Sequence, residues 1–170
     1  MNLELCLLEK ADLPQYTADM QEAFQLGARE GGFLNDGELV LPEADIHSSL
    51  HAKGAVAYKA VMDGQMVGGA IVVLAPEEKH GHLDFLYVKH GVQSKGLGKR
   101  IWSQIEELHP EITVWETCTP CFERRNIHFY VNVCGFHIVE YFHEGHKDPN
   151  EPEGSYNGSD PGMFAFRKVR

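Results

Sequence analysis

Apolar residues along this chain change their period repeatedly, and each change marks an element. Alternation from Leu3 to Leu8 predicts a first strand. Asp12-Leu13-Pro14-Gln15 then has the form of a capping box, with an acceptor carboxylate ahead of a proline that the first helical turn tolerates. Behind it Leu13, Tyr16, Met20, Ala23, Phe24 and Gly27 recur at helical spacing until Gly31-Gly32 stops them, so a first helix is expected. Pro42 to Lys53, with Ile46 and Leu50 on one face and Gly54 behind it, predicts a shorter second helix.

Two strand-like runs follow, Ala55 to Met62 and Gln65 to Leu74, separated by Asp63-Gly64. That dipeptide supplies the positive φ of a two-residue hairpin turn, so the two strands should pair antiparallel. Gly81 to Val88 predicts another strand. Val92 to Leu108 contains a helix with Leu97, Ile101, Ile105 and Leu108 on one face, stopped by Pro110. Ile112 to Cys118 is β-rich. Glu123 to Cys134 is helical, since Ile127, Tyr130, Val131 and Cys134 share a face and Gly135 suits a C-terminal cap. Phe136 to Phe142 and Met163 to Val169 complete the strands, with the Gly-, Pro- and Asp-rich segment Glu144 to Gly162 between them. A connection this long is usually functional. Hairpins mixed with crossovers imply an α/β fold in which a mixed sheet carries helices on both faces.

At 170 residues the chain fits one domain. Its 15 Lys+Arg against 25 Asp+Glu give a formal charge of -10, a field that repels polyanions and attracts cations. Nucleic acid is therefore a poor partner and an amine a good one. No apolar run reaches the roughly 18 residues of a membrane span, and the first residues lack a secretory pattern, so a cytoplasmic setting without a membrane partner is expected. The four cysteines are then expected to be thiols.

One stretch carries the clearest chemistry. Leu86-Tyr87-Val88 ends a strand, and Gln93-Ser94-Lys95-Gly96-Leu97-Gly98-Lys99-Arg100 opens a helix. Such a turn aims backbone N–H groups and the positive helix end at one point, where an anion binds. Gly96 and Gly98 let the backbone approach phosphate, and Lys95, Lys99 and Arg100 bring cations to it. Neither a Walker A loop nor a dinucleotide fingerprint fits, because Leu97-Gly98 follows Gly96 and Ile101 stands where a third small residue is needed.

Leu86-Tyr87-Val88 followed by Gln93-Ser94-Lys95-Gly96-Leu97-Gly98 resembles, without a gap, the signature of the GNAT superfamily of acetyl-CoA-dependent N-acetyltransferases. Ser94 stands where that family often has Gly. The resemblance implies a single domain over residues 1–170 with a mostly antiparallel mixed sheet splayed between its fourth and fifth strands. It implies acetyl-CoA as co-substrate, with its pyrophosphate on the amides from Gln93 to Lys99 and its pantetheine arm beside Leu86, Tyr87 and Val88. The Val88 N–H would polarise the thioester carbonyl, and an amine of a small, cationic acceptor would attack it directly in a ternary complex. Asn126 is a further candidate for the cofactor, and a homodimer is left open.

The family also carries a helix with Tyr four residues before Gly-Phe, whereas Tyr130 stands five before Gly135. Either a helical bulge restores the spacing and makes Tyr130 the acid that protonates the departing thiolate, or Tyr130 is a core residue. The attacking amine must be neutral, and Asp84 and Glu116, on the strands flanking the cleft, are the candidate bases. Two alternatives stay open: an acetyl-CoA sensor without turnover, and a thiol-redox module using Cys118 and Cys121, which stand as CxxC ahead of a helix. Ten histidines, including His137, His143 and His146, make no spaced ligand set, so no metal is expected.

Overall fold

In the computed structural model, which describes residues 2–30, 39–92, 96–150 and 162–170, the chain opens with β1 (Leu3–Leu7) and α1 (Leu13–Glu30). A short 3-10 turn (Lys10–Asp12) intervenes, and it changes the expected cap. The Asp12 carboxylate accepts from the Glu9 N–H behind it at 2.9 Å and from Lys59 Nζ at 2.8 Å, which ties the start of α1 to the next strand. The Gly31-Gly32 helix stop lies outside the described residues. After α2 (Glu43–Leu50), β2 (Ala55–Met62) and β3 (Gln65–Ala75) pair antiparallel through a turn in which Asp63 and Gly64 have φ of 53° and 77°. The sequence called for that turn, and the backbone adopts it.

β4 (His80–Val88), α3 (Leu97–Leu108) and β5 (Val114–Pro120) follow. The next helix, α4 (Arg124–His128), runs into a π turn (Phe129–Val133) in which the Cys134 N–H reaches the Phe129 carbonyl at 2.9 Å. β6 (His137–Phe142) and β7 (Met163–Val169) close the fold. The late loop, Glu144 to Gly162 in the sequence reading, is preceded and begun by a compact corner. There His143 and His146 exchange backbone hydrogen bonds and His146 stacks on Phe142. Residues 151–161 of that loop lie outside the described residues.

The sheet has seven strands in the order β1-β2-β3-β4-β5-β7-β6, and β4 with β5 is its parallel pair. Two apolar layers cover its faces. On one side Tyr16, Met20 and Ile46 of α1 and α2 pack on Ile71, Phe85 and Tyr87, with the Tyr16 and Tyr87 rings edge to face at 5.4 Å. On the other, Ile101, Trp102 and Ile105 of α3 pack with Leu83, Trp115, Phe136 and Phe166. Trp102 and Trp115 meet at 5.0 Å. No helix among the described residues is long and apolar enough to cross a membrane.

Gly81 is where this second layer presses hardest on the sheet. A Cβ there would lie 2.4 Å from Cζ3 of Trp115, so the indole rests on bare backbone. Gly81→Ala should destabilise the protein by about 1–3 kcal/mol through overpacking. Thermal unfolding checks this, and an unchanged midpoint would show that the indole can move aside.

Candidate active site

β4 and β5 are hydrogen-bonded only at His80↔Val114, Gly81↔Trp115 and His82↔Glu116. Beyond that point they part. Buried Thr117 marks the separation, its Oγ1 donating to the Leu83 carbonyl at 2.8 Å in place of a ladder bond. β4 stays paired with β3 to Val88, with a bulge that leaves Asp84 unopposed between Phe85 and Leu83. The other edge of β4 therefore borders an opening. A cavity of about 660 Å³ occupies it, walled by Leu86, Tyr87 and Val88 on one side and by Asn126 of α4 with Phe129 and Tyr130 of the π turn on the other.

The start of α3 forms one end of this cavity through Gly96, Leu97, Gly98 and Lys99. Gly96 has φ of 81° and open space where its Cβ would be, so no side chain stands between this turn and the cavity. Gly98 has a different role, since a Cβ there would come within 2.9 Å of the Phe129 ring and α4 needs that closeness. Arg124 and Arg125 add positive charge along the wall, with Arg125 also paired to Glu30 of α1. Gln93, Ser94 and Lys95, the first part of the expected phosphate loop, lie outside the described residues. Asn126 lines the cavity and donates to Thr119 Oγ1 at 3.3 Å.

Tyr130 both packs and faces the cavity. Its ring lies 5.5 Å from Phe166, while its phenol is hydrogen-bonded to Thr117 at the point of strand separation. The π turn supplies the extra residue between Tyr130 and Gly135 that the spacing required. Burial pushes the phenol well above its ordinary pKa, with the Thr117 bond opposing the shift, so it keeps its proton at neutral pH.

The opposite face of the sheet holds the carboxylates. Asp84 accepts from Ser49 Oγ of α2 at 2.6 Å and lies 2.6 Å from His82 Nδ1. Glu116 lies 2.6 Å from His80 Nε2 and 3.7 Å from Arg167. Each expected base is thus bonded to an imidazole on β4 that the sequence reading passed over. Their signal was spacing, because His80, His82 and Asp84 follow at i, i+2 on one strand and so share a face. His82 also bonds Cys118 of β5; burial alone lowers its pKa, but the Asp84 and Cys118 bonds outweigh that and raise it to about 9.

Two more features went unread. Glu123, 7% exposed, lines the cavity, and burial raises its pKa despite nearby Arg125. Asp19 Oδ2 and the hydroxyls of Tyr16 and Tyr87 are buried on the α1 side without a partner among the described residues. Neither Cys118 nor Cys121 is joined in a disulfide among the described residues, and no group of three potential ligands among them is placed to hold a metal ion.

Comparison with known proteins agrees with this geometry. The uncharacterised Bacillus subtilis (strain 168) protein YrkN is 43% identical over 145 residues, 85% of this chain and 78% of that one. The PaiA N-acetyltransferase of Thermoplasma acidophilum, in complex with coenzyme A, superposes with a TM-score of 0.69 at 18% identity over 100% of both chains. The spermidine N-acetyltransferase of Vibrio cholerae, in complex with CoA and spermine, gives 0.67 at 13% identity over 98% of this chain and 95% of that one. At such identities these two structures speak to the fold. The model of the acetyltransferase (GNAT) family matches residues 17–136, more than half of the sequence, and the chain belongs to that family as an acetyltransferase.

Proposed function

We propose that this protein transfers the acetyl group of acetyl-CoA to a primary amine of a small, cationic acceptor. The observation that carries the reading is the opening between β4 and β5. It presents an unpaired strand edge at Leu86 to Val88, running from the start of α3 to Tyr130. An amide-bearing arm fits such an edge by adding as a strand, and a pyrophosphate suits the N–H groups at Gly96 to Lys99. The Val88 N–H is then available to the thioester carbonyl. In the order of events implied by the family, the amine attacks that carbonyl directly in a ternary complex, and protonated Tyr130 supplies the proton that CoA sulfur needs.

The acceptor's charge follows from the α1 and α2 side. These helices carry Asp19, Glu22, Glu30, Glu43 and Asp45 against Arg29 alone among Lys and Arg. An ammonium with three N–H donors also suits the unpartnered Asp19 Oδ2 and its two neighbouring phenols. A polyamine-binding neighbour of the same fold, the Vibrio spermidine enzyme, supports this class of acceptor. A cytoplasmic setting supplies acetyl-CoA and keeps the cysteines as thiols. Formation of a homodimer belongs to the same reading, without a residue yet assigned to it.

Three measurements test it. Gly96→Asp places a carboxylate at the expected phosphate position without a clash, whereas Gly98→Asp would also strike Phe129. CoA affinity of the Gly96 variant should fall about tenfold or more, equivalent to ~1.4 kcal/mol. Calorimetric titration reads it, and unchanged affinity would remove the phosphate assignment. Tyr130→Phe keeps the ring packing, so kcat should fall by about 10² or more with CoA affinity held; a rate within about twofold would leave Tyr130 as core. Asp19→Asn keeps the bond from Gln15 Nε2, now 2.7 Å to Oδ1, while removing the charge. KM for a diamine should rise about tenfold while KM for a neutral-bodied amine stays, since one ion pair is lost. Equal changes for both amines would dismiss the cation site.

A further inference from the structure

Acetyl transfer to an amine needs a group that takes a proton from the incoming ammonium, because only the neutral nitrogen has a lone pair to attack with. The two carboxylates first considered for this, Asp84 and Glu116, are not on the wall of the cavity. Each is held at 2.6 Å by an imidazole of β4 instead. Glu123 does line the cavity, and no second carboxylate lines it among the described residues.

The backbone of Glu123 is fixed between β5 and α4. Its N–H donates to the Pro120 carbonyl and its carbonyl accepts from the Ile127 N–H, each at 3.0 Å. The carboxylate makes no capping bond to α4 and reaches α1 instead, where Oε2 lies 3.8 Å from the place a Gly27 Cβ would occupy. Ala23, Phe24 and Gly27, the α1 residues on this wall, have no donor in their side chains. At 7% exposure the residue is buried, and no hydrogen bond or ion pair joins its carboxylate to another described residue. Arg125, whose charge acts on it, is paired to Glu30. A carboxylate buried without a partner is costly, so one kept inside a cavity points to a cation that arrives with the substrate.

We propose that Glu123 is the base of the reaction, taking the proton that the acceptor's ammonium must lose before its nitrogen attacks. The proposal rests on the acetyltransferase reading and adds to it the destination of that proton. Val88 and Tyr130 line the same cavity, so a nitrogen paired with Glu123 shares one compartment with the groups assigned to the thioester. The ammonium gives one proton to Glu123, and the freed lone pair attacks the thioester carbonyl carbon. The bond from that carbon to CoA sulfur breaks, and sulfur takes the Tyr130 proton. Nitrogen loses its second proton as the amide forms, which restores Tyr130 through solvent, and Glu123 releases the first to solvent. The net release is one proton for each acetyl group transferred.

The charged and titratable groups that share the wall with Glu123 are Lys99 of α3, Arg124, Arg125 and His128 of α4, Tyr130 of the π turn and Tyr87 of β4. His128 is exposed, and its Nδ1 lies 2.9 Å from Asn132 Nδ2, so it is poorly placed to serve a buried nitrogen. Burial raises the pKa of Glu123, with Arg125 opposing the shift. A base acts only when ionised, so activity falls as pH drops through that pKa, and the fall begins above the ordinary range of a glutamate.

The pH profile of kcat for the intact protein, with putrescine and saturating acetyl-CoA and read as CoA thiol released, tests this. The wild-type protein should show an acidic limb and then a plateau. Glu123→Gln keeps the shape of the side chain, so CoA affinity by calorimetry should hold while kcat at neutral pH falls by about 10² or more. Its remaining rate should climb without a plateau until the amine itself loses its proton. Glu123→Asp keeps the carboxylate and should retain the plateau at an intermediate rate. A Gln variant within about twofold of wild type, or one that keeps the wild-type plateau at a lower height, would overturn the assignment, the latter in favour of His128 or water. Should the Gln variant fail to fold, an Asp variant without the plateau would overturn it as well. Absence of CoA release by the wild-type protein at any pH is a distinct result and would overturn the acetyltransferase reading together with this one.

Discussion

The separation of β4 from β5 after three residue pairs is the constraint on which the site depends. Parallel strands buried between helices ordinarily continue their ladder, because an unpaired buried peptide group is costly. Here the ladder is held closed at one end and released at the other. Trp115 lies flat on Gly81 and locks the paired end into the apolar layer under α3. Thr117 then spends its hydroxyl on the Leu83 carbonyl, which satisfies the first β4 group that loses its partner. The bulge at Asp84 turns the rest of β4 away from β5 while its pairing with β3 continues. What remains is a strand edge whose N–H and C=O groups face a cavity.

The sheet also keeps two chemistries apart. On the α3 and α4 face, the open amide at Gly96 and the cations Lys99, Arg124 and Arg125 lie along the cavity that ends at Tyr130. On the α1 and α2 face lie the bonded pairs His82 with Asp84 and His80 with Glu116, together with Cys118. The gap between β4 and β5 lies where the two meet. Charge is distributed unevenly, with cations along the cavity and bonded carboxylates on the α1 and α2 face.

The helix between β5 and β6 shows how a local irregularity serves this arrangement. Its first residues are α-helical, and then the Cys134 N–H reaches back five residues to Phe129. A π turn is poorer in its own hydrogen-bond geometry and tends to occur at functional sites. In this protein it lets Tyr130 reach Thr117 while Phe129 covers Gly98. Gly98 therefore serves the contact between α3 and the helix after β5. Tyr130 and the turn at Gly96 to Gly98 are positioned by one packing contact.

Most of the fold was legible in the sequence because it rests on local preferences. The Asp63-Gly64 turn, the helical spacing in α1 and α3 and the strand before Gly96-Leu97-Gly98 each follow from residues close together in the chain, and the family signature lies within one such stretch. Boundaries moved where tertiary contacts intervened, as when Asp12 turned back to Glu9 and Lys59. The site was less legible. Asp84 and Glu116 could be assigned to their strands, but their imidazole partners could not. Nor could sequence choose between core and catalytic places for Tyr130, since apolar spacing reads the same for both. These relations join β4 to β5, α2 and α4 across long separations in sequence. Local propensity sets which residues share a face, while only the packed sheet decides which faces meet.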